Sequence, residues 1–215
     1  NILTQTSPKS DSAERLSAVK DESDFFRHQH ESMMSQHQSR NQNKTWLSAK
    51  ATIEMVWIPP GPFFMGRKGN PTTAPGFSLA RHPVTNQQFK QFLDATGYRP
   101  ASDDPTSSDF LSHWVGGRIP EGLQDFPVVW ISMFDALAFC SWAGLALPAE
   151  TLWEKAARGI DRRPYPWGEQ PPVERSSYAC AKSDRNLARI MADSPCAVGS
   201  FPETRTAFGC EDMVG

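Results

Sequence analysis

The sequence predicts an irregular α+β domain, with few helices, short strands and much loop, behind a polar N-terminal extension. Three observations carry that expectation. None of the 14 glycines and only one of the 18 prolines, Pro8, falls within the first 50 residues. Six of the seven tryptophans lie between Trp57 and Trp167, among short apolar runs broken by Pro and Gly. In that stretch only three segments combine helical spacing with start and stop signals.

Residues 1–50 are rich in Ser, Gln, Asn and His. Leu16, Val19, Phe26, Met33 and Met34 recur at loosely helical spacing, which predicts a polar helix over 11–38. Its apolar stripe is thin, so such a helix needs something to dock on. Phe25, Phe26, Met33 and Met34 are the expected anchors in a partner's groove. His28, His30 and His37 have metal-ligand chemistry, but in so polar a segment they are expected to be solvated.

Residues 51–215 form the expected domain. Ile53–Ile58 reads as a strand stopped by Pro59, Pro60 and Gly61, with Phe63, Phe64 and Met65 expected as its hairpin partner. Val84–Ala95 is a predicted helix: Thr85 and Gln88 have capping-box spacing, Phe89, Phe92 and Leu93 supply the apolar face, and Gly97 closes it. Residues 99–125 are expected to be a long polar loop. Ser132 is a good N-cap with Asp135 three places on, and the following helix ends at Gly144. Pro148–Arg158 is the third helix, stopped at Gly159.

A chain of 215 residues has room for one good-sized domain and an extension. At 39% hydrophobic and 21% charged its composition is globular. The formal net charge of −2 provides no electrostatic footprint for nucleic acid, nor attraction to an anionic membrane. The longest uncharged stretch, Ala136–Ala149, contains Gly144 and Pro148 and falls short of the roughly 20 apolar residues a spanning helix needs, so no transmembrane segment is expected. Four cysteines are too few for a disulfide-built scaffold and too widely spaced for a zinc ribbon. Cys180, Cys196 and Cys210 are nevertheless candidates for a single disulfide. Fifteen residues separate Cys180 from Cys196, and closing that loop contributes about 3 kcal/mol in the chain-entropy view. Such a bond fits an extracytoplasmic, periplasmic or secretory, location.

Nine ordered pieces resemble the formylglycine-generating enzyme (sulfatase-modifying factor) family. They are Met55–Gly66 (MVWIPPGPFFMG), His82–Phe89 (HPVTNQQF), Phe126–Ala136 (FPVVWISMFDA), Phe139–Gly144 (FCSWAG), Leu147–Glu150 (LPAE), Trp153–Gly159 (WEKAARG), Tyr165–Gly168 (YPWG), Val198–Pro202 (VGSFP) and Phe208–Gly215 (FGCEDMVG). The resemblance implies the family's variant of the C-type lectin fold. It marks Trp130, Asp135, Trp142, Glu150, Trp153, Arg158, Trp167 and Asp212 as residues that specify that fold, the carboxylates anchoring loops and helix ends instead of moving protons. Trp142 and Trp153, on capped helices, are expected to be buried, each costing roughly 3–5 kcal/mol on replacement by Ala.

The resemblance implies less about chemistry. The family's copper-binding cysteine pair belongs to a C-terminal portion beyond the Asp-Met-x-Gly element, and none of the four cysteines matches it. The copper site and the catalytic residues are therefore expected to be absent from this chain. Cys180 stands where the family has an asparagine calcium ligand, and a thiol suits no hard cation; the second calcium site needs residues beyond Gly215. Ala149 replaces the family's N-cap threonine, at an expected cost of about 1 kcal/mol. Hercynine oxygenases, which share this domain, hold iron through histidines of a separate helical domain, for which the 50-residue extension is too short. The expectation is a non-catalytic scaffold or accessory protein in a larger complex. The alternative is the N-terminal part of a metal-dependent oxidoreductase of the same family.

Overall fold

The structure, a computed structural model, describes residues 46–47, 50–101, 107–171 and 195–214. Five short strands precede three helices: β1 Trp46–Leu47, β2 Glu54–Ile58, β3 Gly61–Met65, β4 Asn70–Ala74, β5 Phe77–Ala80, α1 Asn86–Thr96, α2 Met133–Ala143 and α3 Glu150–Arg158. This is the mixed, loop-rich architecture the sequence predicts. Strand β1 lies before residue 51 and pairs antiparallel with β2.

β2 is the centre of a sheet ordered β1-β2-β5, and β3 pairs with β4 as a separate hairpin. Phe63–Met65 is thus not the partner of β2, contrary to the expectation above. Pro59 and Pro60 have no backbone N–H, so the chain leaves the ladder there and redirects. Phe63 then faces Thr72 in register, and Val56 faces Leu79. Between the sheets Gly76 is required by contact: a Cβ there would lie 2.7 Å from the Trp57 ring.

Alternation along β2 feeds two cores. Ile53 and Met55 join Phe89 and Phe92 of α1 with Phe139 and Ala143 of α2. The Phe89 and Phe139 rings stack at 5.6 Å, and Phe92 meets Phe139 edge-on at 5.8 Å, geometries that aromatic quadrupoles favour. Val56 and Ile58 instead join Phe63, Ala74, Ala156 and Ile160 between the strands and α3.

Both predicted capping boxes form. Thr85 Oγ1 accepts from Gln88 N at 3.2 Å while Gln88 Oε1 accepts from Thr85 N at 3.0 Å. Ser132 and Asp135 repeat the arrangement, and Gly97 and Gly144 end their helices in the left-handed conformation. At Ala149 no side chain caps α3, as the sequence predicts. The polar segment 99–125 is more than a loop: Leu111 and Trp114 are buried in the first core. Trp114 is held there because Asn86 Oδ1 accepts its indole N–H at 3.0 Å.

Candidate functional site

α2 has apolar residues all around it. One side, through Phe139 and Ala143, fills the first core. The other presents Met133 and Phe134, each 63% exposed, and Leu137, 45% exposed. Spacings of three and four residues put Phe134 and Leu137, and Met133 and Leu137, on one helical face. Trp130, 40% exposed, precedes them. Its backbone is left-handed at φ 56°, a conformation unusual for a bulky residue, and its carbonyl accepts from Leu111 N at 2.8 Å. The result is an outward apolar strip on a helix whose ends are fixed by Ser132 and Gly144.

Asp135 sits beneath this strip, buried. Oδ2 accepts from Ser132 N at 2.7 Å and from Ser132 Oγ at 2.9 Å, and Oδ1 accepts from the Tyr98 hydroxyl at 2.9 Å. A carboxylate so engaged is a structural anchor. Asp212 accepts from Gly199 N at 2.9 Å and stands 3.6 Å from His82 Nδ1, an electrostatic contact too long for a hydrogen bond. Burial raises its pKa, but His82 and the Gly199 amide outweigh burial and hold the carboxyl below its ordinary value.

Arg158 donates to Glu154 Oε1 at 2.6 Å and to the Gly66 carbonyl at 3.0 Å, while Gly66 N donates to the same Glu154 oxygen at 2.7 Å. The pair grips both the N–H and the C=O of Gly66, at the β3–β4 turn. Glu150 is exposed at the start of α3, where a carboxylate complements the helix dipole. Trp167 is half-buried, stacked on Tyr165 at 5.2 Å, and donates to the Gln170 carbonyl. Trp142 packs, partly buried, against the first core. Trp153 corrects the expectation of burial: it is 44% exposed. α3 turns Leu152, Lys155 and Ala156 toward the strands, leaving Trp153 on its flank.

Phe25, Phe26, Met33, Met34 and Cys180 lie outside the described residues, as do His28, His30 and His37. Cys196 is half-buried. Cys210 is a free thiol, fully buried, and burial pushes its pKa up to about 11. Burial also raises Cys140. Thiols held protonated are poor nucleophiles and poor metal ligands. Cys140 belongs to the first core and Cys210 to the second, so they do not converge on one ion. Among the described residues no group of three His, Cys, Asp or Glu side chains is placed to hold a metal. No described helix is long and apolar enough to cross a membrane.

Sequence reasoning missed two features. Lys155 is 1% exposed, and its ammonium donates to the Pro59 and Gly61 carbonyls at 2.6 and 3.1 Å. Burial lowers its pKa to about 8. The outward strip of α2 was missed because a helix apolar on every side has no stripe to point to its exposed face.

Comparison with known proteins agrees with this geometry. Residues 41–215 match the sulfatase-modifying factor enzyme 1-like domain. The hercynine oxygenase of Mycolicibacterium smegmatis is 30% identical over 199 residues, covering 74% of this chain and 43% of that protein. The inactive C-alpha-formylglycine-generating enzyme 2 of Bos taurus is 30% identical over 210 residues, covering 76% of this chain and 68% of that protein. The structure of PvdO from Pseudomonas aeruginosa superimposes with a TM-score of 0.55 at 25% identity, over 80% of this chain and 72% of that one. The chain therefore belongs to the sulfatase-modifying factor enzyme 1-like family and adopts its formylglycine-generating-enzyme type of fold.

Proposed function

We propose that this chain is a non-catalytic binding protein that uses its formylglycine-generating-enzyme-like domain to hold a protein partner, as an accessory subunit of a larger complex. One observation carries the reading: Met133, Phe134 and Leu137 stand together on the outward face of a well-capped helix, with Trp130 beside them. Contiguous exposed apolar surface depleted of charge is the compositional mark of an interface core. A relative named as inactive shows that the family includes members without that activity. The proposal keeps the extracytoplasmic setting expected from the cysteines, and a protein, not nucleic acid, as the partner.

Gentle purification from the source, followed by size exclusion, tests the proposal. The wild-type chain should co-migrate with a second protein, and Phe134→Asp should release it without changing thermal stability. Migration of both forms as a lone chain defeats the reading.

The relative named hercynine oxygenase, less than half of which this chain spans, favours a second reading: a portion of a metal-dependent oxidoreductase. Incubation with copper, oxygen and a Cys-x-Pro-x-Arg peptide separates the two. The binding reading predicts an intact cysteine; an aldehyde in its place establishes the oxidoreductase.

A further inference from the structure

Asn86, the first residue of α1, is buried and holds two ring side chains of the segment that precedes the α2 strip. Its Oδ1 accepts from the Trp114 indole N–H at 3.0 Å and stands 2.8 Å from His113 Nε2, while its Nδ2 donates to the Leu123 carbonyl at 2.9 Å. An indole nitrogen only donates, so the atom it meets is the amide oxygen. His113 Nε2, facing the same oxygen, must then carry a proton of its own. The bare nitrogen of the neutral ring is therefore Nδ1. That atom is buried and has no hydrogen-bond partner among the described residues.

The same segment reaches the apolar strip. Trp114 N donates to the Leu111 carbonyl at 2.8 Å, and Leu111 N donates to the Trp130 carbonyl at 2.8 Å. Leu111 and Trp130 are both left-handed, at φ 53° and 56°, and bulky residues keep that backbone only where their surroundings impose it. At Leu111 it is imposed by the burial of Leu111 and Trp114 in the first core and by the indole's bond to Asn86. Trp130, beside Met133 and Phe134, thus depends on the segment to which His113 belongs.

A second proton on His113 goes to Nδ1, where it meets no acceptor, and a buried cationic N–H without one is costly. No neighbouring charge offsets that cost. Lys90 and Asp94 of α1 pair with each other at 2.6 Å. Asp109 and Arg118 of its own segment, and Glu121 and Asp125 of the stretch that Asn86 holds through Leu123, make no ion pair with the ring among the described residues. Burial alone lowers the pKa of His113. The ring takes up the proton more readily once it swings out, so acid favours the released segment below the ordinary value of 6.5. We infer that His113 is an acid-sensitive latch on the α2 face: its second proton releases Leu111–Trp114 and, through Leu111, Trp130. The effect on binding rests on the partner-holding role proposed for that face.

The test measures amide hydrogen exchange of the purified full chain at pH 7.5 and 5.5, each rate divided by its intrinsic value. In the wild type the Leu111 and Trp114 amides should exchange faster at pH 5.5, by up to about tenfold, the factor that one pH unit below 6.5 allows. The Arg81 amide, which donates to the Glu54 carbonyl in the other sheet region, should not change. His113→Gln keeps a side-chain N–H for Asn86 and does not titrate, so its exchange should be the same at both pH values. Nitrogen NMR of the wild-type ring needs no variant and should show Nε2–H with a bare Nδ1 at pH 7.5. A photoreactive residue at position 134 should capture a partner several-fold less at pH 5.5 in the wild type, and equally at both pH values in His113→Gln. Exchange independent of pH, a response shared by the Arg81 amide or kept by His113→Gln, or an Nδ1–H ring each overturns the latch. Those readings need no partner, so an adduct absent at both pH values overturns the partner reading alone. Equal adducts at both pH values in the wild type overturn the latch's control of the face.

Discussion

Lys155 Nζ donates to the carbonyl of Pro59 at 2.6 Å, joining α3 to the end of β2 across 96 residues of sequence. The Gly61 carbonyl takes a second proton of the same ammonium at 3.1 Å. The two acceptors bracket the turn where the prolines force the chain out of the ladder. Lys155→Ala should cost about 2–4 kcal/mol, from the lost stem and two carbonyls left unpaired. Lys155→Met, which keeps the volume, should cost less. Urea unfolding of both variants checks the order; losses below about 0.5 kcal/mol for Ala contradict the clamp.

The same lysine has a pH signature. Its pKa falls from 10.5 to about 8 on folding, so the native state releases the proton first as pH rises. Between those values the unfolded state holds more protons, and this group's contribution to stability increases with pH. The wild-type stability slope from pH 8 to 10 should therefore be more positive than that of Lys155→Met. Identical slopes contradict the burial of the ammonium.

His113 acts at the other end of the pH range. Burial lowers its pKa below 6.5, and its ring faces Asn86 Oδ1 at 2.8 Å. The unfolded chain takes up the proton first as pH falls, so the stabilising contribution is present above 6.5 and is lost progressively below it. Melting temperatures at pH 7.5 and 5.5 should differ more for the wild type than for His113→Gln.

Asp135 and Trp153 separate anchors from bystanders. Asp135→Ala removes a capping box and the partner of the Tyr98 hydroxyl, at an expected cost of about 2–3 kcal/mol. Phe139→Ala should cost about 3–5 kcal/mol, as a core aromatic against Phe89 and Phe92. Trp153→Ala, on the exposed flank of α3, should cost under about 1 kcal/mol. Denaturant midpoints for the three variants give the order directly.

What was legible in the sequence was local. Thr85 with Gln88, and Ser132 with Asp135, announce their helices because a capping box spans only four residues. Gly97 and Gly144 mark the ends for the same reason. Strand pairing is not local: nothing near Phe63 shows that its partner is Thr72 and that β2 waits for Phe77–Ala80. Lys155 reads as a solvated helical cation until its carbonyl acceptors are folded over it. Leu111 and Trp114 belong to a short apolar patch with Phe110 and Val115, too brief within its polar surroundings to be read as an element of the core. Trp153 is expected on the apolar side of its helix, but α3 turns Leu152, Lys155 and Ala156 inward instead.

The partner-binding role stands or falls on the outward face of α2. The most direct measurement places a photoreactive amino acid at position 134, where Phe134 is 63% exposed, and irradiates the full chain in extracts of its source. The account predicts one dominant protein adduct, lost when Leu137→Asp is added, with the melting temperature of the variant unchanged. An absent adduct, or one that forms equally in the Leu137→Asp chain, contradicts the account.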